Sequence, residues 1–511
     1  MGTRKFRRNV VAATAAAAVV AAGGVGVASV DPGGATAPRS SDRAPAAGRT
    51  KAPVQAPALP GAQGISPSDR VYTADQTSNT VTVIDPSKDR VLGTLALGSQ
   101  RLDGVLGAQY LKEVGVHGLG FSRDGRHLGV VSVTTNSAVV IDTATNEIVS
   151  KTYVGRAAHE GFFSADGTEF WVAERGQDTV AVVDVRHGGV KERIRTGQGP
   201  SKVLFSPDGK RAYVNHIGTA QVTVVDTAQK KVVQRIRGIG DVFSPDAALS
   251  PDGRELWVGQ KKAGKVTVVD VRAGRVLTVL DTGPETNHIN FVTTADTAYA
   301  YVTVGGRDET LVYERRGAHP QLVDRIRNSG STPHGIWPSP DNTKVYVALE
   351  RGDAVDVIDT RTRRVTKSLD VGQDPQALVY VARSAPAANA GLGRQGLSAA
   401  TRDVPVDAPG DADVEVTARP VDGLDQLQLS AKALEPSTAY TLYARRAGER
   451  VPLVDFTTDA KGAAPRVLVF ARFTGVYDDR LTVARATGTS ANTDHGGHGG
   501  NGDHGAHAHD D

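Results

Sequence analysis

The chain has 511 residues, of which 39% are hydrophobic and 23% charged, so it is long enough for one large domain and a smaller one. The formal net charge of +3 is small for this length and gives no support to a nucleic-acid partner. The chain has no cysteine, which excludes disulfides and thiolate catalysis.

The first segment predicts export. MGTRKFRRN is basic, the run VVAATAAAAVVAAGGVGVA is weakly apolar, and Gly26 and Ala28 suit cleavage before Ser29. We therefore expect residues 1–28 to be a signal peptide, the mature protein to be secreted, and no stable membrane span to persist after cleavage. A retained anchor is the alternative, because the apolar run is just long enough to span a bilayer. Residues 29–64 are rich in Pro, Ala and Gly and predict a disordered spacer.

A repeat dominates residues 65–383. Its turn aspartates recur at intervals of 42 to 45 residues, at Asp124, Asp166, Asp208, Asp252, Asp296 and Asp341. This period is typical of a four-stranded propeller blade. Six units are complete, and a seventh at residues 70–97 lacks an opening strand, which DPQALVYVA from residue 374 supplies. The sequence thus predicts an all-β fold with a seven-bladed β-propeller, closed by strands from both ends.

The repeat text also points to a family. S-x-D-G turns recur (Ser122 to Gly125, Ser164 to Gly167, Ser206 to Gly209, Ser250 to Gly253), with AYVN at 212–215 and NTVTVIDP at 79–86. This text resembles the YVTN family of seven-bladed propellers, also described as YncE-like proteins. The resemblance covers about residues 65–383, and it implies a secreted binding or surface protein without a shared catalytic set. Seven-bladed lactonases and the propeller half of nitrous-oxide reductase share the general shape.

Two further segments follow the repeat. After a linker at 384–400, residues 401–486 contain short alternating strands that predict a small immunoglobulin-like β-sandwich. Residues 487–511 predict a disordered tail rich in His, Asp and Gly. We expect this tail to sequester Zn²⁺, Ni²⁺ or Cu²⁺, although it could merely aid solubility. Its histidines are His495, His498, His504, His507 and His509.

Histidines also recur where the first strand of a blade begins. His117, His159 and His334 each lie seven residues before the turn aspartate, whereas other blades have Ser201, Pro245 or Gln376 there. His288 lies one position earlier than this register predicts. If each hairpin folds about its turn, Glu174 faces His159, His216 faces Ser201, and Glu350 lies beside His334. One mouth of the channel would then hold seven candidate residues: His117, His159, Glu174, His216, His288, His334 and Glu350.

These residues allow more than one interpretation. Histidine and glutamate are ligands for Zn²⁺, Cu²⁺ or non-haem Fe²⁺. The structural interpretation is that each imidazole binds the backbone of the next blade, and an organic or anionic ligand is a third. Residues 98–116 form a longer insertion on the same side, which could cover the mouth or be a loop without a function.

Three functions follow from this sequence. The favoured one is a secreted propeller that is not an enzyme and presents a binding surface to a protein or cell-envelope component, with a metal-sequestering tail. The alternative is a metal-dependent enzyme or metal-handling protein that uses copper, zinc or iron at the channel mouth. A second alternative is a lactonase-like or lyase-like propeller in which His and Glu act as acid and base. The chain lacks a G-x-S-x-G elbow, which counts against this last function.

Overall fold

The computed structural model describes residues 64–98, 115–384, 390–397, 402–421 and 424–486. The predicted signal peptide, almost all of the spacer, most of the insertion at 98–116 and the His-rich tail lie outside these residues. Within the described ranges, no helix is long and apolar enough to cross a membrane.

Seven four-stranded antiparallel sheets form between Arg70 and Val381, which confirms the predicted seven-bladed β-propeller. From the innermost to the outermost strand, blade 1 contains β28 (Pro375–Val381), β1 (Arg70–Asp75), β2 (Thr80–Asp85) and β3 (Arg90–Ala96); blade 2 contains β4 (Val116–Phe121), β5 (His127–Ser132), β6 (Ser137–Asp142) and β7 (Ile148–Tyr153); and blade 3 contains β8 (Ala158–Phe163), β9 (Glu169–Glu174), β10 (Thr179–Asp184) and β11 (Val190–Arg195). Blade 4 contains β12 (Pro200–Phe205), β13 (Arg211–His216), β14 (Gln221–Asp226) and β15 (Lys231–Arg237), and blade 5 contains β16 (Asp246–Leu249), β17 (Glu255–Gln260), β18 (Lys265–Asp270) and β19 (Arg275–Asp281). Blade 6 contains β20 (Thr286–Thr293), β21 (Ala298–Val304), β22 (Glu309–Glu314) and β23 (Gln321–Arg327), with a 3₁₀ turn at Gly305–Arg307, and blade 7 contains β24 (Pro333–Pro338), β25 (Lys344–Leu349), β26 (Ala354–Asp359) and β27 (Arg364–Asp370).

The ring closes through blade 1, as the sequence predicts. Strand β28 pairs antiparallel with β1, so the last strand of the propeller completes the first blade. The innermost strands contact one another in sequence around the channel, and β28 contacts β4 to complete the circle. Closure of this kind leaves no free inner sheet edge.

The S-x-D-G turns fix the hairpin between the first two strands of a blade. The Ser122 hydroxyl donates to an Asp124 carboxylate oxygen at 2.6 Å, and that oxygen accepts the Arg126 backbone N–H at 3.1 Å. Gly125 has a φ of 73°, a conformation that a residue without a Cβ adopts at little cost. The same serine-to-aspartate bond recurs in blades 3, 4 and 5, which explains the repeated motif.

Burial decreases from the channel outward. Every residue of β12 is buried, whereas β15, the outer strand of the same blade, is mostly exposed. Inner strands are therefore rich in valine, alanine and aromatic residues, because both of their faces pack against neighbouring blades. The inner strand thus has little room for a charged side chain unless that side chain has a partner.

The strands after the propeller form two four-stranded sheets, in agreement with the predicted sandwich fold class. One sheet has the order β29 (Arg402–Asp403), β31 (Asp413–Val421), β32 (Leu424–Lys432) and β35 (Ala464–Ala471); the other has the order β30 (Val406–Asp407), β36 (Leu481–Arg485), β33 (Ala439–Arg446) and β34 (Glu449–Thr457). Their buried side chains form a separate apolar core around Leu427, Leu442 and Phe473. In the preceding linker, Gly393 exchanges backbone hydrogen bonds with Thr94 of blade 1 at 2.8 and 3.0 Å.

Candidate functional site

The first strand of most blades breaks its pairing register where the recurring histidine lies. In blade 3, Ala158 pairs with Glu174, and the next pair is Gly161 with Val172. Equivalent breaks occur in the first strands of blades 1, 2, 4, 6 and 7. A β-bulge bends a strand and redirects a side chain. The predicted pairing of His159 with Glu174 is therefore wrong by one residue, because the bulge adds a residue that a regular hairpin does not have.

A cavity of about 130 Å³ lies where these bulges meet the channel. We call it the channel-mouth cavity. It is lined by His117, His159, Arg175, Phe243, Pro245, Asp246, Lys261, Asn287, His288, His334 and Gln376. The structure thus brings together four of the seven predicted channel residues, His117, His159, His288 and His334.

The four histidines of the cavity form two pairs of rings. The ring centroids of His117 and His159 are 4.4 Å apart, and those of His288 and His334 are 4.6 Å apart, each pair with an interplanar angle of 50°. In the first pair the two Nε2 atoms are 2.8 Å apart. Burial lowers the pKa of all four imidazoles well below the usual value, and neighbouring cations lower it further. The four rings are therefore neutral at physiological pH.

Each of three histidines is anchored through its Nδ1 atom to an oxygen that belongs to a neighbouring blade. His159 Nδ1 lies 3.0 Å from the Ser201 carbonyl oxygen, and His334 Nδ1 lies 2.8 Å from the Gln376 carbonyl oxygen. His117 Nδ1 lies 2.7 Å from Gln76 Oε1. The anchor fixes the orientation of each ring and directs its Nε2 atom into the cavity.

Three charged side chains lie directly beside these histidines, and we call Glu160, Lys202 and Asp246 the charged triad. Lys202 Nζ lies 2.6 Å from Asp246 Oδ1 and 3.1 Å from Glu160 Oε2, and all three side chains are at most 7% exposed. Burial raises the pKa of both carboxyl groups. Burial also disfavours the ammonium of Lys202, but the two carboxylates raise its pKa above the ordinary value.

The triad also borders the histidines. Glu160 Oε1 lies 3.8 Å from His288 Nε2 and 3.9 Å from His159 Nδ1, and it is buried without a hydrogen-bond partner. Asp246 Oδ1 lies 3.5 Å from His288 Nδ1. Buried polar atoms are nearly always satisfied, so an unpartnered carboxylate oxygen that faces imidazole nitrogens indicates a place for a ligand.

Two further cations line the cavity. Arg175 donates from its guanidinium to Ser201 Oγ at 2.6 Å, and burial lowers its pKa to about 9. Lys261 follows β17 at the position that Arg175 occupies after β9. Both can stabilise negative charge that develops on a bound ligand.

Two predicted site residues, Glu174 and His216, do not reach the cavity. The carboxylate of Glu174 accepts hydrogen bonds from Gly155 N at 2.6 Å and Thr179 Oγ1 at 2.5 Å, and it pairs with Arg193 at 3.1 Å. His216 Nε2 lies 3.0 Å from Thr223 Oγ1, and burial lowers the His216 pKa to about 4. Both side chains turn into their own blades, because the bulges shift the register of the hairpins. Glu350 lies close to the site, with Oε2 3.9 Å from His334 Nε2.

Sequence analysis missed the charged triad and the two cations. The triad residues each follow the recurring position in three consecutive blades, after His159, Ser201 and Pro245. Three charged residues at one position of a buried strand were the available signal. It was overlooked because a regular strand would direct neighbouring side chains to opposite faces.

Comparison with known proteins identifies the family to which this fold is similar. Residues 31–289 match the family described as "Lactonase, 7-bladed beta-propeller". A search of curated protein sequences found no match.

Among solved structures, the periplasmic gluconolactonase PpgL of Pseudomonas aeruginosa is 20% identical, with 61% of this chain and 99% of that chain covered and a TM-score of 0.48. Hydrazine synthase of Kuenenia stuttgartiensis is 19% identical, with 52% and 88% covered and a TM-score of 0.46. A functionally unknown protein from Desulfotomaculum acetoxidans is 11% identical, with 61% and 98% covered and a TM-score of 0.51. At 11% identity this last likeness concerns the fold alone.

The family match corrects one expectation. The sequence favoured a propeller that is not an enzyme, and this was wrong, because the matched family is named for a hydrolytic activity. The second alternative, a lactonase-like propeller, agrees better with the match than the favoured binding protein does.

Proposed function

Because the chain belongs to the lactonase family of seven-bladed β-propellers, we propose that it hydrolyses a small cyclic ester in the channel-mouth cavity. The observation that carries this proposal is the lining of that cavity, where four neutral histidines lie beside Arg175 and Lys261. A neutral imidazole can accept a proton from water, and a cation can stabilise the oxyanion that forms when water attacks an ester.

His334 is the best placed general base. Its Nδ1 atom is held by the Gln376 carbonyl oxygen at 2.8 Å, so Nδ1 carries the proton and Nε2 presents a lone pair to the cavity. Glu350, 3.9 Å from that Nε2 atom, would stabilise the imidazolium formed after proton uptake. This pair of residues provides both the base and the carboxylate that supports it.

The reaction follows from these positions. His334 Nε2 takes a proton from water, and the resulting hydroxide attacks the carbonyl carbon of the lactone. Arg175 and Lys261 face the oxyanion. The ring C–O bond then breaks, and the imidazolium returns its proton to the leaving alkoxide, which yields a hydroxy acid.

Attack by water rather than by a serine fits the contacts of Ser201. Its hydroxyl donates to the Pro245 carbonyl oxygen at 2.7 Å and accepts a hydrogen bond from Arg175. His159 Nδ1 also lies 3.4 Å from this hydroxyl, but that nitrogen donates to the Ser201 carbonyl oxygen and so cannot accept the hydroxyl proton.

The size of the cavity limits the substrate. A cavity of about 150 Å³ holds one benzene ring in another protein, so about 130 Å³ suits a single five- or six-membered ring. Longer substituents would have to extend out of the mouth. We therefore propose unbranched γ- and δ-lactones as the substrate class.

The test is to incubate the full chain with a panel of γ- and δ-lactones and to measure hydrolysis as the release of acid at constant pH. The informative variant is His334→Asn, because an asparagine amide can still donate to the Gln376 carbonyl but has no equivalent of Nε2. We expect kcat to fall by roughly 10²- to 10⁴-fold, the usual contribution of a general base. His187→Asn is the control, because this histidine side chain is 75% exposed and pairs with a surface aspartate, Asp184, away from the residues that line the cavity. Unchanged turnover in His334→Asn, or no hydrolysis of any lactone by the native chain, would contradict the proposal.

The location of this activity is a further part of the proposal. The charged and apolar pattern of residues 1–28 supports export, and the recurrent turns support a YVTN-like secreted propeller. Fractionation of cells that express the full chain, with N-terminal sequencing of the product, tests it. Cleavage before Ser29 is the expected result.

A further inference from the structure

The protonation of the His117–His159 pair can be read from its anchors. A carbonyl oxygen only accepts hydrogen bonds, so His159 Nδ1, 3.0 Å from the Ser201 carbonyl, carries the proton. The same holds for His117 Nδ1, which lies 2.7 Å from the side-chain carbonyl oxygen of Gln76. A neutral imidazole has one N–H, so both Nε2 atoms present lone pairs.

These two lone pairs face each other. The Nε2 atoms are 2.8 Å apart, at the distance of a hydrogen bond, yet neither atom has a proton to donate while both anchors are in place. Two lone pairs at this distance repel unless a positive centre lies between them.

A metal ion satisfies this geometry. For bonds of ~2.05 Å, ligands 2.8 Å apart subtend an angle of about 86° at the metal, which is close to the right angle of tetragonal or octahedral coordination. The anchors match as well, since histidine ligands of metals characteristically donate their other N–H to a carbonyl oxygen.

Glu160 provides the third ligand. His117, His159 and Glu160 each offer one donor atom, and these atoms lie within 4.8 Å of one another. Two ligands of one ion with bonds of ~2.1 Å are at most about 4.2 Å apart, so the set would contract by some tenths of an ångström. Glu160 Oε1 is the buried oxygen without a hydrogen-bond partner, so this oxygen is available to a cation.

A second group of possible ligands, Glu160, Asp246 and His288, does not need an ion. The ammonium of Lys202 already lies between its carboxylates, at 2.6 Å from Asp246 and 3.1 Å from Glu160. One cation therefore serves the two carboxylates, and the unsatisfied position is the one beside His117 and His159.

We propose that His117, His159 and Glu160 bind one divalent transition-metal ion of the Zn²⁺, Cu²⁺ or Ni²⁺ class in the channel-mouth cavity. Nitrogen-rich ligands with one carboxylate select such ions over Mg²⁺ or Ca²⁺, which take oxygen ligands. The site goes beyond the proposed hydrolysis and does not rest on it, because occupancy is measured directly and not through turnover.

The experiment uses the full chain with its five tail histidines replaced by asparagine, since the tail could otherwise contribute bound metal. Calorimetric titration with Zn²⁺ and with Cu²⁺, and metal analysis after dialysis, give the stoichiometry. We expect one equivalent per chain and a rise of the melting temperature in the presence of metal. In His159→Asn, the amide keeps the bond to the Ser201 carbonyl while Nε2 is lost, so affinity should fall at least tenfold with the fold intact.

His187→Asn in the same background is the matched control and should bind metal like its parent. Failure of the tail-substituted chain to bind one equivalent would overturn the proposal, and so would unchanged affinity in His159→Asn. In either case a proton, and not a metal ion, would lie between the Nε2 atoms of His117 and His159. The Gln76 amide would then be rotated so that its nitrogen donates to His117 Nδ1. Lactone hydrolysis assayed on the same samples shows separately whether the proposed function holds.

Discussion

Replacement of Lys202 by methionine tests most directly how much the charged triad contributes to the stability of the fold. In the native chain, Lys202 Nζ lies 3.1 Å from Glu160 and 2.6 Å from Asp246. Methionine keeps roughly the length of the side chain but removes this cation, so both carboxylates stay buried without it. Removal of one partner of a buried ion pair costs about 3–5 kcal/mol of folding stability. The side chains of Lys202, Glu160 and Asp246 are only 7%, 2% and 2% exposed, so solvent screens the charges little and the full cost applies. We expect the free energy of unfolding to fall by ~3 kcal/mol at pH 8.

The loss should depend on pH in a defined direction. Burial already raises the pKa of both carboxyl groups in the folded protein, and Lys202 is the main group that opposes this rise. Without Lys202 the folded pKa values rise further above the unfolded values of about 4. A raised folded pKa favours stability at low pH, and this stability is lost as pH rises through the folded pKa. Lys202→Met should therefore be destabilised little at pH 5 and most at pH 8.

Urea unfolding at both pH values measures this, with tryptophan fluorescence as the signal. Lys265→Met is the control, because its partner Asp281 is 88% exposed and such pairs contribute at most about 1 kcal/mol. The triple variant Lys202→Met, Glu160→Gln, Asp246→Asn should recover part of the loss, since no buried carboxylate remains. An equal loss at pH 5 and pH 8, or a loss no larger than that of the control, would refute the reasoning.

Two other predictions concern the histidines. Burial holds the pKa of His334 well below 6.5, so a base at this position stays unprotonated in mild acid, and kcat/KM for a lactone should keep its plateau down to pH 6; a pH–rate profile with an acid limb above pH 7 would exclude His334 as the base. Gly118→Ala should destabilise the chain by about 1–3 kcal/mol and weaken metal binding, because the new Cβ would lie 2.1 Å from the His159 carbonyl oxygen. Gly393→Ala, where a Cβ would lie 3.8 Å from the nearest atom, serves as its control in thermal unfolding.

The fold was predictable because the repeat is long and the turns between its strands need particular residue types. The turn that joins Ser122 to Gly125 needs a hydroxyl, a carboxylate and a residue that tolerates positive φ, so its spacing reports the length of the blade. The missing strand of blade 1 was equally visible, since a blade of three strands would expose an inner edge. Strand β28 fills that place as expected.

The site was predictable only in part. His117, His159 and His334 were found because they recur with the blade, and His288 because it lies one position from the same register; all four line the cavity. Glu174 and His216 were assigned wrongly because a regular hairpin was assumed, and a bulge shifts every pairing beyond it. The pairing of Lys202 with both Glu160 and Asp246 joins three blades across 42 and 44 residues, and only the recurrence of a charge at the same strand position pointed to it.

The bulges also place the side chains that line the channel at positions that do not take part in strand pairing. Residues on either side of each break keep the ladder intact, so the side chain at the bulged position is not needed for pairing within the blade. The chain itself shows this, with histidine at 117, 159 and 334, serine at 201 and glutamine at 376. The blades therefore keep the same strand pairing while the side chain at the bulged position differs from blade to blade. A single substitution at one of these positions therefore changes the lining of the channel in one blade and leaves the strand pairing of that blade in place.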